Sequence, residues 1–207
     1  ISIGDWSSDV CSSDLLDKAV AFLQREIKEE VARAKREKHT IYIGTAHLNY
    51  LYIRALLNQP ADETTRLLTK LALKQAPTAT MDFKAMLAVV LQKTGDKKEA
   101  KTLRESLKEH TVSTPALGRY FDTQRTRFSS QWYRIPAQVA TIEALRASGN
   151  AADEKVADEM RLWLMQSKRT QMWQAGRTSA DAVFALLAAD NDRQPVMSLN
   201  TSTRPMT

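Results

Sequence analysis

One cysteine, six glycines and six prolines in 207 residues leave little room for several architectures. A lone Cys11 cannot close an intrachain disulfide, which excludes a disulfide-stapled scaffold. Glycine and proline are too few for collagen or a low-complexity linker, and a 43% hydrophobic fraction is enough to build a core. No run of 18 uncharged apolar residues occurs, so no helix that spans a bilayer is expected and no direct membrane insertion. A single domain of this size buries roughly 70% of its unfolded surface, so stability needs neither a metal nor a disulfide. Ala, Leu, Lys, Glu and Gln are abundant instead, and these residues lose least on entering a helix.

Residues 1–15 need separate treatment. From Asp5 the chain reads Asp-Trp-Ser-Ser-Asp-Val-Cys-Ser-Ser-Asp-Leu, and this whole stretch resembles one reading frame of a common sequencing-adaptor oligonucleotide. A segment of that origin is set aside from fold reasoning, as a cloning scar would be. Without its three aspartates (Asp5, Asp9, Asp14) the remainder holds 30 basic against 21 acidic residues, a net charge of +9 instead of +6. Cys11 leaves with it. Arguments from cysteine to redox compartment, zinc or a thiol nucleophile therefore fall away. The chain is expected to be a piece of a longer protein.

From Leu16 the apolar residues recur at helical spacing: Leu16, Ala19, Val20, Leu23, Ile27 and Val31 share one face, with Lys18, Arg25, Lys28 and Arg33 off it. A second helix carries Leu48, Leu51, Tyr52, Ala55 and Leu56 and stops near Pro60, because proline cannot continue the hydrogen-bond ladder. Phe83, Met86, Leu87, Val90 and Leu91 mark another, closed by Gly95, which can adopt the left-handed conformation of a helix end. Apolar helices alternate with more polar ones. Inner helices are predicted near residues 46–58, 81–94, 135–148 and 177–189, with outer helices near 61–75, 97–110 and 152–168. Their closing turns at Pro60, Gly95, Gly149 and Asp190 are 35, 54 and 41 residues apart, so the period is not that of a tetratricopeptide array. Unequal helix pairs over residues 16–190 predict an all-α fold of the α/α toroid type. The polar stretch 191–207 reads as a linker or the start of another domain.

Residues 111–134 interrupt the pattern with Pro115, Gly118, Tyr120, Phe121, Phe128, Trp132 and Tyr133. The segment reads as a long loop without regular structure, and loops of that length are more often functional than idle. It is expected to fold back over one end of the helical array, its aromatics either lining a functional surface or stapling the loop to the body.

Recognisable catalytic signatures are missing. There is no glycine-rich phosphate loop, no His-Glu-x-x-His, no Cys-x-x-Cys and no Gly-x-Ser-x-Gly. His39, His47 and His110 sit on three different elements without a carboxylate at ligand spacing, so satisfied or solvated histidines are expected, and no metal or other cofactor. Arg33, Lys35, Arg36 and Lys38 form a basic run at a helix C-terminus, where cations suit the helix dipole; without interleaved aromatics this is a solvated face and not a nucleic-acid surface. Trp163 lies at helical spacing with Val156 and Met160 and reads as core, and Trp173 as packing against a helix end.

Two stretches carry more than composition. The first runs through Gly118-Arg119-Tyr120-Phe121 and Trp132-Tyr133-Arg134-Ile135-Pro136-Ala137-Gln138, then Ile142-Glu143-Ala144-Leu145. The second joins Trp163-Leu164-Met165-Gln166 and Gln171-Met172-Trp173 to Thr178-Ser179-Ala180-Asp181-Ala182. Together they resemble the thioester-domain toroid of bacterial alpha-2-macroglobulins, over about residues 82–190. The resemblance implies part of a broad-spectrum endopeptidase inhibitor of the cell envelope or periplasm. A protease cuts a bait segment elsewhere in such a protein, the molecule rearranges, and an internal Cys–Gln thioester captures the attacker. Target proteases and the macroglobulin-like domains of the same parent are the implied partners, and the domain is no enzyme. No Cys-x-Glu-Gln occurs here, since Ser12, Ser13 and Asp14 follow Cys11, so any thioester would lie upstream of Leu16. Tyr120, Trp132 and Tyr133 are the candidate lining of the thioester site, because a thioester survives only behind apolar walls. A helical-repeat module that binds a protein partner along its inner helices is the alternative, and a toroid enzyme a third. The cyclases and prenyltransferases of that fold use an Asp-rich helix or an Asp-Cys-His zinc site, neither of which has a counterpart here.

Overall fold

The computed structural model describes residues 12–122, 124, 126–128, 133–170 and 176–187. Within them lie eight α-helices: α1 (Ser12–Glu37), α2 (Thr45–Leu56), α3 (Glu63–Gln75), α4 (Met81–Thr94), α5 (Lys97–Glu109), α6 (Arg134–Arg146), α7 (Ala151–Thr170) and α8 (Gly176–Leu187). Each predicted inner and outer helix is present within a few residues of its expected span, so the all-α class is correct. None of the described helices is long and apolar enough to cross a membrane.

Local chemistry sets the helix ends. Asp62 opens α3, its carboxylate accepting the Thr65 N–H at 2.8 Å and satisfying a donor the helix leaves free. Gly95 closes α4 as expected, with the N–H groups of Gly95 and Asp96 both reaching the Leu91 carbonyl. Before α7, Asn150 accepts the Asp153 N–H at 2.8 Å while its own amide donates to the Asp153 carboxylate at 2.8 Å, a reciprocal cap. The first helix begins at Ser12 instead of Leu16, since an established helix extends outward at little cost, one hydrogen bond per residue. Residues 1–11 lie outside the described residues, as does the polar stretch 191–207.

The helices form two rows. In the inner row α2 packs on α4, α4 on α6 and α6 on α8. The outer helices α3, α5 and α7 each pack between the inner helix before them and the one after, and α1 packs on α2. Helix α4 is therefore covered on nearly every side, with Ala85, Leu87, Ala88, Val89 and Leu91 all buried. Neighbouring outer helices are bridged by long side chains. Lys28 and Lys35 of α1 pair with Asp62 and Glu63 at the start of α3, at 3.4 and 2.7 Å. Arg104 and Lys108 of α5 pair with Asp153 of α7, at 3.1 and 2.9 Å. The connection before α2 is held by Gln75 of α3, whose amide accepts the Ile43 N–H and donates to the Ile43 carbonyl, as a neighbouring strand would.

The expectation of a loop without regular structure over residues 111–134 is corrected. Thr111–Thr114 (β1) and Gly118–Phe121 (β2) form an antiparallel hairpin with Thr111 opposite Phe121 and Thr114 opposite Gly118. Residues 111–114 read Thr-Val-Ser-Thr, of which three are β-branched, but four residues are too short for alternation to stand out against helical neighbours. The ribbon is stable because β2 lies directly on α7. Two strands alone would be marginal in water.

Candidate functional site

Several residues of the two stretches singled out in the sequence meet at one junction of hairpin, α6 and α7. Gly118 has φ of +75° and sits so close to α7 that a Cβ there would lie 2.3 Å from the Glu159 carbonyl oxygen. Only glycine allows both that backbone conformation and that approach. Two residues on, the Tyr120 ring stacks on Trp163 of α7, with centroids 6.0 Å apart and planes inclined by 25°. The Arg134 guanidinium lies over the indole of Trp163, 4.7 Å from its centroid. Partial burial pulls Arg134 below its ordinary pKa, and the neighbouring Tyr120 opposes that. Gln138 is fully buried on α6 and donates its amide to the Arg119 carbonyl of β2 at 2.8 Å and to the Met160 carbonyl of α7 at 3.3 Å. Arg119 in turn holds Glu159 at 2.8 Å, which keeps that carboxylate below its usual range despite some burial.

Beyond the hairpin the chain runs to the start of α4. The Met81 N–H, at the first residue of α4, donates to the Arg127 carbonyl at 2.9 Å. Phe121 is fully buried and meets Phe128 edge-on at 5.8 Å, both packed with Met81 and Ala85. Tyr133 is half-buried immediately before α6. The hairpin, Arg127 and Phe128 thus cover the N-terminal ends of α4 and α6, one end of the inner row. Of the candidate lining residues, Tyr120 belongs to this end cover and Tyr133 stands at the start of α6 with no ring contact to the hairpin among the described residues, while Trp132 lies outside them, as does Trp173. Trp163 is core, at 7% exposure.

A second constellation escaped the sequence reading. Across the inner row, the Tyr52 hydroxyl of α2 donates to the Glu143 carboxylate of α6, with Asp181 of α8 close enough to act on both. Burial raises the pKa of Glu143, and the charge of Asp181 adds to it while the Tyr52 hydrogen bond and the charges of Arg146 and Lys93 oppose it. Burial first, and the Glu143 charge second, hold the Tyr52 phenol protonated far above its ordinary range. The one signal available was a single acid inside the apolar run Val139-Ala140-Thr141-Ile142-Glu143-Ala144-Leu145.

The histidines are occupied as expected. His47 is buried, accepts the Gly44 N–H on Nδ1 at 3.3 Å and so donates from Nε2 to Glu30 at 3.1 Å. His110 Nδ1 donates to the Ser106 carbonyl at 2.7 Å. No cluster of metal-ligating side chains occurs among the described residues. The basic run after Arg33 is solvated apart from the Lys35 pair.

The architecture defines an all-α, two-row helical array whose inner helices pack on one another and whose one end is covered by a hairpin. Comparison with family models, with curated proteins and with solved structures finds no match to this chain.

Proposed function

We propose that the chain is part of the α/α toroid of an alpha-2-macroglobulin-like protease trap, the domain that carries or shields the thioester in such proteins. The observation that carries this reading is the convergence of Gly118, Tyr120, Gln138 and Trp163, which bear the resemblance in two separate stretches, on one junction. The two-row arrangement supports it. Inner helices that touch directly, with neighbouring outer ones bridged by ion pairs of long side chains, suit an array curving toward its inner row. Part of the inner row of a closed ring would leave its terminal helix uncovered, and α8 exposes Val183, Phe184 and Leu187, at i, i+1 and i+4 of one apolar stripe. Tyr120 then belongs to the end cover that keeps water from a thioester, or from its degenerate equivalent. The parent resides in the periplasm or cell envelope, and its partners are target proteases and its own macroglobulin-like domains.

The alternative, a helical-repeat module that docks a partner protein, is favoured by the same uncovered stripe on α8. Reading the open reading frame upstream of Leu16 separates the two. Macroglobulin β-sandwich domains and a bait segment support the trap. Further unequal helix pairs leading directly to a start codon overturn it in favour of the repeat module.

A further inference from the structure

A cavity of about 450 Å³ opens between α2, α3 and the C-terminal end of α4, away from the hairpin junction and from the Tyr52–Glu143 pair. Its size lies within the usual range of small-molecule sites. Leu51 and Ala55 of α2 and Val90 of α4 give it an apolar floor, and all three are buried. Helix α3 supplies the opposite wall, with the hydroxyl residues Thr65 and Thr69 and the cations Arg66 and Lys70. Asp96, bonded to the Thr94 hydroxyl at 3.3 Å, marks the rim at the end of α4.

The charge distribution is unequal. Arg66 and Lys70 are exposed, four residues apart on one face of α3, and neither forms a salt bridge or side-chain hydrogen bond among the described residues. Arg54 also lines the cavity and is more than nine-tenths buried. Its terminal nitrogens are engaged, Nη1 with the Tyr50 hydroxyl and Asp62, Nη2 with the Pro60 carbonyl at 2.6 Å. Its Nε–H is buried without any partner. The Nε atoms of Arg134 and Arg161 are buried in the same way, and a donor with no exposed face is out of a ligand's reach, so Arg54 serves the cavity as a buried cationic wall only. The cavity therefore combines two exposed cations on α3 with a hydrocarbon floor.

We propose that this cavity binds an organic carboxylate with an apolar body, the carboxylate held by Arg66 and Lys70 and the hydrocarbon laid on Leu51, Ala55 and Val90. A bare inorganic anion would leave the floor unused, and an uncharged hydrocarbon would leave the cations unused. The site does not depend on the protease-trap reading, because every group it uses lies within α2, α3 and α4.

The test is calorimetric titration of the full chain with octanoate, 1-octanol and inorganic phosphate, with amide chemical-shift mapping to locate the binding. The expected result is saturable binding of one octanoate, with shifts in α3 and at the end of α4. Octanol and phosphate should each bind at least about tenfold more weakly. The variant R66Q/K70Q changes only exposed side chains and should retain the fold while losing about tenfold in octanoate affinity. The control K97Q/K98Q removes the same net charge from the exposed start of α5 and should leave the affinity unchanged. Absence of saturable octanoate binding overturns the proposal. So does unchanged affinity in R66Q/K70Q, an equal loss in the control, or phosphate binding as tightly as octanoate.

Discussion

Replacing Gly118 by alanine tests how the hairpin is seated, and the structure supplies its own control. Two contributions oppose an alanine there. The backbone has φ of +75°, a region that costs a residue with a Cβ about 1–2 kcal/mol. The new Cβ would also lie 2.3 Å from the Glu159 carbonyl oxygen, 3.0 Å from the Leu162 Cβ and 3.1 Å from the Trp163 nitrogen. The first of these is backbone and cannot swing aside, so β2 must lift from α7. That loosens the Tyr120–Trp163 stack and the Arg119–Glu159 pair, and forcing an extra carbon into packed surroundings costs about 1–3 kcal/mol. Reduced freedom of the unfolded chain returns about 0.4–1 kcal/mol. The expected net loss is about 1–5 kcal/mol. Gly149 has φ of +70° but nothing within 4 Å of its would-be Cβ, so Gly149→Ala carries the backbone contribution alone, about 1 kcal/mol or less after the same offset. Urea unfolding of both variants, followed by far-UV circular dichroism, gives the difference directly. If G118A and G149A lose the same stability to within about 0.5 kcal/mol, the close contact of hairpin and α7 is not a determinant of stability and the reasoning fails.

Asp153 accepts hydrogen bonds from Arg104, Lys108 and Asn150; burial works to raise its pKa, but hydrogen bonds from Lys108, Ser148 and Asn150 and the Lys108 charge outweigh it and hold the carboxyl below the usual range. Asp153→Ala is expected to lose about 3–5 kcal/mol in urea unfolding, because Arg104 remains buried without its counter-charge; a loss under about 1 kcal/mol would contradict this. Glu143 has a raised native pKa, so the folded state binds its proton more readily than the unfolded chain. The stability it contributes is greatest below the unfolded pKa and is lost as pH rises through the native one. Glu143→Gln should therefore gain stability relative to the parent between about pH 4 and 7, and parallel stability curves across that range would refute the assignment. Deleting residues 1–15 removes the first turn of α1 but should leave the melting temperature unchanged, since Val20 is the first buried side chain described; a clear drop in melting temperature would show that the segment is part of the natural protein.

Helix periodicity carried most of the fold into the sequence. Leu103 and Leu107, or Met160 and Leu164, mark a buried stripe by spacing alone, and Pro60, Gly95 and Gly149 punctuate it through backbone preferences that need no tertiary partner. What stayed hidden depends on which helices become neighbours. The hairpin is four residues a side and owes its stability to α7, forty residues further on in the Arg119–Glu159 contact. Tyr52 and Glu143 are 91 residues apart and meet only because α2, α4 and α6 pack in succession. The cations of α3, Arg66 and Lys70, likewise read as ordinary surface charge until the cavity beside them is seen.

Protease capture by the full-length parent tests the central claim most directly. The parent is incubated with a serine protease, and cleavage of a small chromogenic peptide and of a large protein substrate are measured in the same mixture, with the protease followed by size-exclusion chromatography. The account predicts that the protease co-elutes with the parent, keeps its activity on the peptide and loses it on the protein substrate. Changing Tyr120 to Ala should weaken capture beyond any loss of thermal stability. A protease that elutes alone and digests the large substrate at its unhindered rate would contradict the account.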